Sequence, residues 1–141
     1  MKKIISVALS LLTAGITSFA QSKTPVAVTT AFEHKFPNAS GIKWDKENAH
    51  EYEAEFTWKG EKYSANFNDK GAWLETESSY AFEQLPEKVQ LGFNSSHKGA
   101  TVKGVSKIES VDGKLKYEIE IKGLKTVEVF FNEDGSEIKK K

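Results

Sequence analysis

Glu51-Tyr52-Glu53-Ala54-Glu55-Phe56-Thr57-Trp58, Lys59-Gly60, Glu61-Lys62-Tyr63-Ser64-Ala65-Asn66-Phe67, Asn68-Asp69-Lys70-Gly71 is the stretch that decides the fold class. Tyr52, Ala54, Phe56 and Trp58 alternate with Glu51, Glu53, Glu55 and Thr57, and Tyr63, Ala65 and Phe67 alternate with Lys62, Ser64 and Asn66. A period of two places one set on each side of a strand, so both runs read as half-buried antiparallel strands. Lys59-Gly60 makes the turn between them. Asn68-Asp69-Lys70-Gly71 makes the next one, with Gly71 supplying a positive φ.

Upstream the period is four. Val28, Phe32 and Phe36 recur on one face of a predicted helix that has Thr24 as N-cap and Pro25 at its first position, and Pro37 stops it. A first strand is expected near Ile42 to Trp44, and a last one from Trp73 to Glu77. Downstream the plan recurs. Pro86, Val89 and Phe93 stand 61 positions after Pro25, Val28 and Phe32, Lys116-Tyr117-Glu118-Ile119-Glu120-Ile121 lies over Glu51 to Phe56, and Asn132-Glu133-Asp134-Gly135 lies over Asn68 to Gly71. The reading is an α+β tandem repeat, each half one helix plus four antiparallel strands, with the helices packed on one face of an antiparallel sheet. The halves are 21–80 and 81–141, forming one globular unit. Alternation leaves two assemblies open, one continuous sheet or two packed sheets.

The first twenty residues read as a signal peptide. Lys2 and Lys3 precede an apolar run from Ile4 to Ile16, and Ser18-Phe19-Ala20 carries small residues at −3 and −1, which predicts cleavage after Ala20. Too short and polar for an anchor, this run implies a periplasmic or secreted product with no stable membrane insertion. Cleavage leaves 18 Lys against 20 acidic residues. The 141-residue chain has no Cys and no Arg, so it lacks disulfides, thiol chemistry and the guanidinium fork that reads guanine edges; nucleic acid is not an expected partner.

The order Pro-x-x-Val-x-x-x-Phe, Phe36-Pro37-Asn38-Ala39, Trp44, Tyr52-Glu53-Ala54-Glu55-Phe56, Phe67-Asn68-Asp69-Lys70-Gly71 and Trp73-Leu74-Glu75-Thr76-Glu77 resembles the PepSY-like, β-lactamase-inhibitor-like family of small periplasmic proteins. The resemblance covers residues 24 to 141. It implies a tandem α/β repeat like that of β-lactamase inhibitor protein, whose continuous sheet presents a face to a partner, and no enzymatic activity. The second half departs from the pattern: Phe36-Pro37 becomes His97-Lys98, Trp44 becomes Val105, and Trp73 becomes Glu137.

No motif names a reaction. If Tyr52, Phe56, Tyr63, Phe67 and Leu74 face the helices, then Glu53, Glu55, Lys62, Ser64, Asn66, Trp73, Glu75 and Glu77 occupy the other face, expected to be open to solvent. An indole among carboxylates suits a docking patch, so Trp73, Glu53, Glu55, Glu75, Glu77, Lys62 and Asn66 are the candidate partner-binding residues, for a periplasmic protein or peptide. The bland alternative is a solvated, salt-bridged face. A second functional reading uses the clustered Glu for a small ligand or ion such as Ca²⁺. Glu53 with Glu75 as a glycosidase pair is disfavoured, because a flat sheet does not desolvate one carboxyl. His34, His50 and His97 lack zinc-site spacing, and no catalytic, cofactor or metal residue is assigned. The Lys139-Lys140-Lys141 tail reads as solvated charge.

Overall fold

A computed structural model describes residues 23–139. The predicted signal peptide, its cleavage site after Ala20, and Lys140 and Lys141 lie outside the described residues. In chain order come α1 (Val26–Lys35), β1 (Ser40–Asn48), β2 (Glu51–Trp58), β3 (Glu61–Asn68) and β4 (Trp73–Tyr80). A 3-10 turn (Phe82–Gln84) then leads into α2 (Glu87–Ser96), β5 (Val102–Ser110), β6 (Leu115–Ile121), β7 (Val127–Asn132) and β8 (Glu137–Ile138). The strands form one antiparallel sheet in sequence order, β1 through β8, so the single-sheet assembly is the one adopted. The junction is β4 with β5, paired from Glu75 with Ser110 to Tyr80 with Val105. Each tight connection joins neighbours, as short hairpin loops require.

Both helices start one residue later than the capping pattern predicts. Pro25 and Pro86 are themselves the N-caps, with ψ of 144° and 140°, and their carbonyls accept the first helical N–H bonds. Pro lacks a side-chain acceptor, but its fixed φ sets the entry into each helix. Phe36 N–H and His97 N–H, donating to Phe32 and Phe93 carbonyls at 2.8 Å, close the two C-termini.

Two apolar clusters lie on the helix-bearing face. Under α1, Val28, Phe32 and Phe36 meet Tyr52, Ala54, Phe56, Ala65 and Phe67, with Trp44, Trp58 and Trp73 at the margin. Under α2, Val89 and Phe93 meet Val105, Tyr117, Ile119, Val129 and Phe131. Phe32 sits edge-on to Phe56 at 4.8 Å and Trp44 at 5.3 Å between centroids, the tilted contacts that aromatic quadrupoles favour.

The β3–β4 and β7–β8 turns are seated against the helices. Gly71, at φ +84°, stands so close to α1 that a Cβ would strike the Ala27 carbonyl, and Gly135, also at φ +84°, meets the Lys88 carbonyl of α2 in the same way. Gly60 has the same handedness, at φ +85°, with nothing within 4 Å. Substituting Ala at the two kinds of site separates backbone handedness from contact. We expect Gly60→Ala to cost about 1 kcal/mol, and Gly71→Ala about 2 kcal/mol or more, because the turn must also move off α1. Urea unfolding of both variants checks this; equal losses would refute the contact.

Candidate functional site

The candidate face is the one without helices. Cross-strand register places Asp45, Glu53, Asn66 and Glu75 in one row across β1 to β4. The next row runs Lys43, Glu55, Ser64, Glu77, Ile108 and Lys116 across β1 to β6. Lys62 stands opposite Thr57, and β6 and β7 extend the acidic character with Glu118, Glu120 and Glu128. Six of the seven candidate residues therefore share this face: Glu53, Glu55, Glu75, Glu77, Lys62 and Asn66.

Trp73 does not join them. Between Asn66 and Phe67 the β3–β4 register slips: Asn66 pairs with Glu75 but Phe67 pairs with Trp73, leaving Leu74 as an extra residue on β4. A bulge of this kind reverses the alternation, so Trp73 takes the helix-side position expected for Leu74. Its indole packs at the margin of the α1 cluster, donates to Thr76 Oγ1 at 2.9 Å, and lies under Lys35 Nζ at 3.6 Å from the ring centroid. Sequence alternation cannot reveal a bulge that depends on its partner strand.

The face also departs from the solvated surface that alternation suggests. Glu53 is 6% exposed, Asn66 6%, Glu77 8%, Ser64 4% and Glu118 2%. Directly opposed side chains on neighbouring strands stand about 4.5–5.5 Å apart at Cβ, close enough for long Glu and Lys chains to shield one another's heads. Burial changes the acidities. Desolvation, then a hydrogen bond and charge repulsion from Glu47, push Glu53 up to about 8, against a counteracting hydrogen bond from Ser64. Glu77 is pushed up to about 7 by burial, with Ser106 opposing and Glu75, Glu120 and Glu128 adding repulsion. Glu75 is raised by burial, partly offset by Lys116. Among the described residues Glu53 Oε1 has no hydrogen-bond partner. Among the described residues no group of three or more His, Asp or Glu is placed to hold a metal ion, and no helix is long and apolar enough to cross a membrane.

Several helix-side residues pass unnoticed in the sequence. Between the two clusters, β4 presents Thr76 and Ser78 rather than large apolar residues, opposite Glu109 and Lys107 of β5. A cleft of about 290 Å³ opens there, walled by Trp58, Tyr63, Trp73 and the end of α1. The only sequence signal is a gap in the apolar pattern of β4.

The residues at which the sequence of 81–141 departs from that of 21–80 now have surroundings. Phe36 and Trp73 both lie under the Lys35 ammonium. In the second half, His97 Nε2 meets Glu137 Oε2 at 3.1 Å. An aromatic arrangement in one half is answered by a polar pair in the other.

Comparison with known proteins fits this architecture. Residues 50–139 match the family model described as "Putative beta-lactamase-inhibitor-like, PepSY-like". The chain belongs to this PepSY-like family. A BLIP-like protein of Bacteroides fragilis superposes with a TM-score of 0.68 at 26% identity, over 82% of this chain and 83% of that one. A Bacteroides eggerthii protein described as a putative periplasmic protein gives 0.76 at 19% identity, over 83% and 87%. A DUF2874 family protein of Bacteroides ovatus gives 0.73 at 22%, over 83% and 86%. Among curated proteins none matches. Membership in this PepSY-like family aligns the chain with inhibitor-like proteins rather than with an enzyme family.

The raised carboxyls fix the sign of a pH dependence. Their folded affinity for protons exceeds that of the unfolded chain, whose ordinary value is 4.5. The stability they contribute is therefore complete below about pH 4.5 and is lost as pH rises through about 7 to 8. We expect the melting temperature to fall across that window, and Glu53→Gln to flatten the fall and stabilise the protein by about 1–3 kcal/mol at pH 8 but little at pH 5. Thermal melts of both forms at the two pH values decide it. A wild-type profile flat from pH 5 to 8 would rule out the buried acids.

Proposed function

We propose that the chain is an exported, non-catalytic binding protein whose helix-free sheet face docks a Lys- or Arg-bearing segment of a periplasmic protein or peptide. One observation carries this reading. Glu53 is almost fully buried beside Glu47, yet among the described residues its Oε1 lacks a hydrogen-bond partner. A cationic nitrogen that parts the side chains covering it supplies the missing donor and lets the carboxyl ionise, which water-poor surroundings otherwise oppose. Glu75 and Glu77 extend the same chemistry along the sheet, and Glu55 adds charge at the side. Asn66 lies between Glu53 and Glu75 in the same row, and Lys62 marks one end of the patch. An extended partner segment suits a flat face whose rows of carboxyls repeat from strand to strand.

Three further features support the reading. The BLIP-like likeness from Bacteroides fragilis is consistent with inhibition by occlusion of a partner enzyme. The basic and apolar pattern of residues 1–20 supports export, as does the periplasmic description of the Bacteroides eggerthii neighbour. We read 21–80 and 81–141 as tandem copies of one unit, on the strength of their matching element order and of the equivalent seating of Gly71 and Gly135.

Calorimetric titration of residues 21–141 with a capped octapeptide of alternating Lys and Thr tests the proposal, an alternating Glu and Thr peptide serving as control. Cation binding favours the ionised carboxylates, so it releases protons. Affinity should rise about tenfold between pH 6 and pH 8.5 and fall with added salt. Combining Glu53→Gln with Glu77→Gln should remove most of the pH dependence, and Glu75→Lys should abolish binding without lowering the melting temperature. Equal heats from the two peptides would sink the idea. A melting temperature raised by Ca²⁺ and not by the Lys peptide would favour the ion-handling role instead.

A further inference from the structure

The cleft on the opposite face arises from the way the core is divided. Each helix covers only its own cluster, and the two clusters share no residue. The strip of sheet between them, Tyr63 on β3, Thr76 and Ser78 on β4 and Lys107 on β5, is left as a floor. Around it stand flat apolar surfaces: Trp58 and Trp73 are half-buried, and Phe36 closes the α1 end.

These surfaces are fixed in place. Trp58 Nε1 donates to the Pro37 carbonyl at 3.0 Å, and Trp73 Nε1 donates to Thr76 Oγ1 at 2.9 Å. Each indole therefore has its polar atom satisfied, and each ring carries a lysine ammonium over it, Lys35 on Trp73 and Lys59 on Trp58 at 4.0 Å from the centroid. Trp58 also meets Tyr63 edge-on, with 5.9 Å between centroids.

The cleft carries two ammonium groups, from Lys35 and Lys107. Lys35 Nζ lies 3.6 Å from the Trp73 centroid, and Lys107 Nζ lies 5.4 Å from that of Tyr80. Neither is among the ion pairs found in the described residues. Among the described residues lining the cleft the one carboxylate is Glu109, which is exposed and pairs across the strands with Thr76. Cation–π contact holds an ammonium without neutralising it, so both charges remain available to an anion.

We propose that this cleft binds a small organic anion, a carboxylate or sulfonate on a flat apolar body. The ring system lies against Trp58, Tyr63 and Trp73, and the anionic head sits between Lys35 and Lys107. A volume of about 290 Å³ is at the small end of ligand pockets and admits a two-ring molecule. The site is on the other face of the sheet from the acidic surface, so either can fail without the other.

The probe is 2-naphthoate, with uncharged 2-naphthylmethanol and acetate as comparisons, followed by the indole N–H resonances of ¹⁵N-labelled protein. Trp58 and Trp73 should shift on adding 2-naphthoate while Trp44, outside the cleft, stays put, with a dissociation constant of about 1 mM or tighter. The alcohol should bind about tenfold more weakly, and acetate should leave the resonances unmoved. Combining Lys35→Gln with Lys107→Gln should bring naphthoate down to the alcohol's level, and Glu109→Gln should tighten naphthoate only. If naphthoate and the alcohol bind equally to the native protein, or if neither indole moves, the proposal is overturned whatever the variants do.

Discussion

The confinement of both helices to one face of a single sheet is the constraint on which the rest of the structure depends. Phe32 and Phe93, each nearly inaccessible to water, are the pins. Phe32 gathers Phe36, Trp44, Phe56 and Phe67, and Phe93 gathers Phe82, His97 and Phe131. Burying aromatic area of this size is the largest favourable contribution a chain of this length can make, and it fixes which side of every strand turns inward.

Two surfaces follow from that constraint. Residues that alternate with the aromatic set must share the other face, which gathers Glu53, Glu55, Glu75 and Glu77 with Glu118, Glu120 and Glu128 of β6 and β7. Burial of Glu53 and Glu77 in this crowded face raises the cost of ionising them, with repulsion from neighbouring carboxylates adding to it, and their raised pKa values are its expression. Meanwhile, two helices each centred on its own cluster leave the middle of the sheet uncovered on their own side. The cleft over Thr76 and Ser78 is that uncovered strip.

The elements α1 with β1 to β4 and α2 with β5 to β8 follow the same order and differ at their edges. Gly71 and Gly135 allow the same close approach of a turn to a helix, a contact no side chain could make. Around that contact the chemistry diverges: Lys35 over Phe36 and Trp73 in one half, His97 with Glu137 in the other. The aromatic-walled cleft accordingly sits beside the first helix.

The sequence by itself determined the element order, the turns and the inward set of β2 and β3, because periods of two and four and the positive-φ glycines are local properties. It placed six of the seven candidate side chains on one face for the same reason. Tertiary structure alone decided the remainder. Whether eight strands form one sheet depends on pairing between β4 and β5, which no local pattern encodes. Trp73 was put on the wrong face because the bulge at Leu74 exists only in register with β3. The acids' burial and the cleft likewise come from neighbours distant along the chain, whose distances are set by packing and not by spacing in the sequence.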